Sequence, residues 1–156
     1  MYSYRGPKSV VNTYGTAILS KYPISNVSAF FMYSTHQQIG ATQVQITVGS
    51  QTFNVFSHHP SSHTPEGKIY QIQEMLSRVD GLNNVIFMGD FNFRPYTAQY
   101  NLTVEVLEDS WALQWGTAAE DRIDHIFLST GITVLDTNYI ERGHSDHPAY
   151  WIEILL

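Results

Sequence analysis

Apolar and polar residues alternate with a period of two along much of this chain. In ATQVQITV (Ala41 to Val48), Val44, Ile46 and Val48 are interleaved with Gln43, Gln45 and Thr47, the pattern of a strand with one face buried. The preceding ISNVSAFFMYS is equally rich in strand formers, and VGSQT reads as a hairpin turn into FNVFSHH. TAILSKY, VIFM, RIDHIFLS, GITVLDTNYIE and HPAYWIEILL add further strands. VIFM is short and wholly apolar, as a strand at the centre of a sheet would be.

The period changes to that of a helix once. Ile69, Ile72, Met75, Leu76 and Val79 fall on one helical face. Thr64 is placed to cap its start, with Pro65 at the first helical position and Glu66 in the first turn, and DGLNN ends it. The opening MYSYRGPKSVVNTYG has neither period and reads as loop. Many strands and one marked helix predict an α+β domain with a mixed, largely antiparallel sheet. No repeat, linker or low-complexity tract divides the chain, so residues 1–156 form one domain.

Composition narrows the partners. At 156 residues with 43% hydrophobic and 14% charged residues, the chain can bury a substantial core. A net charge of −6 disfavours a broad nucleic-acid surface, yet leaves room for a small cleft that holds phosphate through a cation. The absence of cysteine removes disulfides, thiolate metal sites and cysteine nucleophiles. No apolar run approaches the roughly 18 residues of a membrane helix. Two glycosylation sequons, at Asn26 and Asn101, are short enough to occur by chance. Nothing fixes a compartment.

Polar residues collect where strands begin and end. His58 and His59 close the strand before the helix. Asp90 and Asn92 follow VIFM in GDFN, Asp124 opens the RIDHIFLS strand, and Asp146 and His147 precede the last strand. In antiparallel neighbours the start of one strand lies beside the end of the next, so topology permits all four to share one sheet edge. Each has a plain reading too. GDFN can be a turn, SDH ordinary loop chemistry, and Asp124 a carboxylate satisfied by Arg122. The histidine pair can be a polar strand end, and His36, His63, His125 and His144 read as surface or structural. Gathered together, Asp90, Asn92 and Asp146 offer hard oxygen donors for Mg²⁺ or Mn²⁺. A histidine beside a carboxylate then supplies a base, and another histidine contacts phosphoryl oxygens.

The order His58, GDFN, ID, SDH resembles the endonuclease/exonuclease/phosphatase superfamily, with its DNase I-like fold. YGTAILSKYPI is similar to that family's glycine-then-strand segment, and EVLEDSWAL to the segment before its ID strand. The resemblance runs from about Thr13 to Ile154. It implies a β-sandwich flanked by helices and divalent-metal-dependent hydrolysis of phosphate esters in nucleic acid, lipid or small molecules, with Mg²⁺ or Mn²⁺, or else Ca²⁺. Carried over by motif, Asp90 positions or deprotonates the attacking water and Asn92 binds phosphate or metal-bound water. Asp146 and Asp90, with Asn92, stand by the metal. His147, oriented by Asp124, is base or transition-state stabiliser, and His58 contacts phosphate, with His59 as the alternative. The family's upstream Asn and Glu motifs have no counterpart, since Glu66, Glu74 and Glu105 are misplaced for the role. An arginine expected before the histidine strand is replaced by Gln37 and Gln38. The expectation is therefore an N-terminally truncated fold, completed by self-association or a partner. The contrasting reading is a non-catalytic interaction module on the same fold.

Overall fold

The computed structural model describes residues 1–7, 15–34, 38–61, 64–141 and 143–156. Thr13, His36, Gln37 and His63, named above, lie outside them.

Six strands form the main sheet. They are β3 (Ile24–Met32), β4 (Ile39–Val48), β5 (Gln51–His58), β6 (Val85–Asp90), β8 (Asp124–Leu128) and the short β7 (Glu108–Asp109), in the order β3-β4-β5-β6-β8-β7. Every pairing is antiparallel except β5 with β6, which the helix α1 (Pro65–Val79) connects as a parallel crossover. The expected α+β class with a mixed, mostly antiparallel sheet holds.

Helix α1 starts as its sequence dictates. Thr64 is extended and its hydroxyl accepts the Gly67 N–H at 3.1 Å, with Pro65 following. Its stripe of Ile72, Met75, Leu76 and Val79 covers one face of the sheet, where Ala41, Phe56, Phe87 and Phe127 are buried. The opposite face carries Val44, Phe53, Val55 and Leu128. Two hairpins cover it: β1 (Tyr2–Arg5) with β2 (Ala17–Ser20), and β9 (Val134–Ile140) with β10 (Ala149–Ile154). Tyr4, Ile18, Val134, Ile152 and Ile154 from these hairpins pack onto that face, giving the second layer of a sandwich.

Two expectations change. The opening segment is not all loop, because Tyr2–Arg5 pairs antiparallel with Ala17–Ser20 and Tyr4 turns inward. Four residues were too few to show alternation. Besides α1 there are α2 (Ala98–Val104) and α3 (Ser110–Trp115). Neither is long enough to display a helical period, and each is marked instead by its cap. The Thr97 hydroxyl accepts from Tyr100 N–H and an Asp109 carboxylate oxygen from Trp111 N–H. Among the described residues, no helix is long and apolar enough to cross a membrane.

Candidate active site at the ends of three central strands

Strand alternation sends neighbouring residues of β5, β6 and β8 to opposite faces. One face meets α1, and the other opens at the corner between the sheet and the hairpins. Asp90 ends β6 and Asp124 begins β8, and they are direct partners in the antiparallel register. Gly89, just before, faces His58 in the parallel pair. A Cβ there would sit 1.9 Å from the His58 carbonyl oxygen, and its φ is +149°. Only glycine lets β6 come this close to β5 while delivering Asp90 to the corner.

Beyond Asp90 the chain is pinned. The Asn92 N–H donates to Asp90 Oδ1 at 2.8 Å. Asn92 itself adopts φ +52°, donates its side-chain amide to the Pro60 carbonyl at 2.9 Å, and accepts at its own carbonyl from Lys68 Nζ at 3.1 Å. A left-handed backbone on a non-glycine residue, held from three sides, fixes where the amide points.

The last member comes from the segment before β10. His147 Nδ1 lies 2.7 Å from Asp124 Oδ2, both side chains being part-buried. Asp90, Asp124 and His147 each place one ligand atom within 4.8 Å of the others. The Asp124 hydrogen bond, reinforced by the nearby charges of Asp124, Asp90 and Asp146, raises the His147 pKa above the ordinary 6.5. Burial raises the Asp124 pKa, and the contact with His147 only partly offsets this.

The two adjacent histidines separate. His58 is 1% exposed and packed between Phe87 and Phe91, at ring-centroid distances of 5.3 and 5.4 Å. Burial lowers its pKa to about 3, and neither ring nitrogen has a hydrogen-bond partner. It therefore does not face the corner. His59, the alternative, does: its Nε2 lies 3.6 Å from Asp90 Oδ2. The reason is one of register, since His58 belongs to the face covered by α1. His125 is likewise a core residue, its Nε2–H donating to the Phe93 carbonyl at 3.0 Å, while His144 is exposed.

Asp146 is exposed and joins Asp124 and His147 in the wall of a cavity of about 480 Å³. A smaller recess of about 270 Å³, lined by Gln38, Gly40, His59 and Asn92 among others, lies on the His59 side. Among the described residues no glutamate joins the Asp90–Asp124–His147 cluster, and Glu74 instead pairs with Arg78 and Tyr33 N–H. Arg122 does not neutralise the Asp124 carboxylate. Its Nη2 reaches Asp109 Oδ1 at 2.7 Å in a buried ion pair that also takes the Tyr100 hydroxyl, and only its Nη1 touches the Asp124 carbonyl, at 3.4 Å. Sequence reasoning missed this pair and Lys68. Arg122 before its strand and the Asp109 of EVLEDSWAL were both visible, but nothing in the sequence joined them.

A protein-family model described as the Endonuclease/Exonuclease/phosphatase family matches residues 2–147. No curated protein matches the chain by sequence. Among solved structures, an endonuclease/exonuclease/phosphatase family protein from Leptotrichia buccalis superposes with a TM-score of 0.78 at 20% identity, over 99% of this chain and 71% of that one. A humanized TDP2 from D. rerio gives 0.76 at 19% identity, over 99% and 75%. A mannosyl-6-phosphatase from Bacteroides thetaiotaomicron gives 0.68 at 19%, over 87% and 68%. At these identities the structures speak for the fold, and the family model speaks for descent. With a DNase I-like sandwich whose acidic and histidine groups converge at the open strand ends, the chain belongs to the endonuclease/exonuclease/phosphatase family.

Proposed function

We propose that this chain hydrolyses phosphate esters at the corner formed by Asp90, Asp124 and His147. The observation that carries the reading is the convergence of these three groups, from β6, β8 and the segment before β10, within 4.8 Å of one another. Two carboxylates and an imidazole at one point are the parts that water activation and phosphoryl charge stabilisation require.

The residues divide the work. Asp90 accepts a proton from the attacking water, with Oδ1 steadied by the Asn92 N–H. His147, its pKa raised by Asp124, keeps its proton nearer neutrality and supports the charge growing on the phosphoryl oxygens. Asp124 fixes the tautomer and orientation of His147 by accepting the Nδ1–H hydrogen bond at Oδ2. His59 takes the place first given to His58 and contacts phosphate alongside Asn92. The donor set fits a hard divalent cation: Asp90 and Asp146 offer carboxylate oxygens and Asn92 an amide oxygen. Mg²⁺ or Mn²⁺ held there, or Ca²⁺, would neutralise phosphate charge and lower the pKa of water.

The test is hydrolysis of bis-p-nitrophenyl phosphate and plasmid DNA with Mg²⁺ or Mn²⁺, comparing wild type with Asp90→Ala. Activity in the wild type that falls at least about 100-fold in the variant is expected. If both proteins stay at background, the chain is a non-catalytic module on this fold.

A partner reading accompanies it. Among the described residues β2 pairs only with β1, and β10 only with β9. The second layer therefore presents open strand edges, which favour a second copy or another segment adding strands. Sedimentation equilibrium at micromolar concentration checks this, and a strictly monomeric chain would refute the second-copy form.

A further inference from the structure

The cavity of about 480 Å³ beside Asp124 and His147 has a second wall that the hydrolytic chemistry does not use. Tyr139 of β9 and Tyr150 of β10 are register partners on adjacent strands, with ring centroids 5.8 Å apart. Trp111 of α3 packs against both, at 6.3 and 5.9 Å. The Arg122 guanidinium lies 5.6 Å from the Tyr150 ring and the same distance from the Trp111 ring. Arg122 is itself locked by its buried pairing with Asp109. The two tyrosines are thus propped by neighbours, and Tyr139 remains 41% exposed. Large aromatic rings held in place and left accessible form a stacking platform that loses little entropy on binding.

Position gives the platform its meaning. Asp124, Asp146 and His147 line the same cavity as Tyr139 and Tyr150. A group joined to a phosphorus atom at the corner therefore enters a space with aromatic walls. Arg94 stands at the rim, 3.6 Å from Asp121, with both side chains mostly solvent-exposed. Such a pair is weak, so Arg94 is readily drawn to a ligand. The carboxylates in the lining argue against a second phosphate or an acyl chain as occupant and favour an uncharged planar ring.

We propose that the Tyr139–Tyr150 cavity is the subsite for a planar aromatic ring of nucleobase size carried by the phosphate ester being cleaved. The assignment rests on the phosphoesterase reading and deepens it by giving the class of substrate: nucleotide esters over sugar or lipid phosphates. Stacking on one aromatic side chain strengthens binding by about five- to hundredfold.

Calorimetric titration of the full chain separates this from turnover. The probes are adenosine 5′-monophosphate, ribose 5-phosphate and glucose 6-phosphate. In wild type, the adenosine compound should bind at least about tenfold tighter than either sugar phosphate. Tyr139→Ala and Tyr150→Ala should erase that preference while leaving ribose 5-phosphate affinity unchanged, and Tyr150→Phe should keep it. Equal affinity for all three probes, no binding of any, or an adenosine preference that survives both alanine variants would each overturn the subsite. Ring preference in a protein without hydrolytic activity would instead leave the subsite standing and remove the catalytic reading.

Discussion

Two histidines follow one another at the end of β5, and a carboxylate and a histidine open β8, but each pair is split between two environments. His58 and His125 belong to the face under α1, where Phe87, Phe91, Phe93 and Phe127 surround them. His59 and Asp124 belong to the open corner with Asp90 and His147. Burial lowers the first two imidazoles to about 3 and about 4, while a carboxylate raises His147. An imidazole is thus a neutral core ring at His58 and His125, whereas at His59 it faces the acidic corner. The step of one residue along a strand makes the difference.

The contrast is broken most severely at Asp124. Asp124→Asn keeps the shape and removes the charge that orients and raises His147. Turnover should fall about 1,000-fold in steady-state assays, with thermal unfolding moved by less than about 1 kcal/mol. Exchanging the neighbours sharpens the comparison. His58→Ala should cost about 2 kcal/mol of stability through the cavity it leaves. Its activity at a temperature where it is folded should match wild type. His59→Ala should do the reverse, losing about 100-fold in activity with denaturation midpoints unmoved. If His58→Ala alone abolished activity in a folded protein, the division between faces would be wrong.

The comparison also reads out in pH. The unfolded chain binds a proton at each histidine near 6.5, whereas His58 and His125 stay neutral in the fold until about 3 and 4. Stability is therefore full above 6.5 and is lost as pH falls below it, by up to about 1.4 kcal/mol per pH unit for each histidine. His147 has the opposite sign: its contribution is present below 6.5 and lost as pH rises through its higher folded value. Denaturant melts between pH 4 and 8 read the first effect, and NMR titration of the His147 ring reads the second.

Much of this was legible beforehand. Helix α1 announced both its stripe and its Thr64–Pro65 start, and the order of GDFN, ID and SDH carried the family resemblance, while topology only permitted those strand ends to share one edge. What stayed hidden were features set by register or by long-range pairing. Nothing in HH tells which residue faces α1, since that depends on the Ala41–His58 and His58–Gly89 pairings. The Arg122–Asp109 pair joins residues 13 apart in a segment without periodicity. Helices α2 and α3, with seven and six residues, were too short for a pattern.

The parallel step between β5 and β6 has a kinetic consequence. It is the one parallel pairing among the described strands of the main sheet, with α1 between its two members, and it sets His59 beside Asp90. Asp124 and His147 meet across 23 further residues of chain. The contacts that bring His59, Asp90, Asp124 and His147 together are non-local, so loop-closure entropy must be met before any of them forms. During refolding, the β4–β5 hairpin and α1 can appear early. Hydrolytic competence should return only with the final consolidation of the sheet, which makes recovered activity a clock for the last stage of folding.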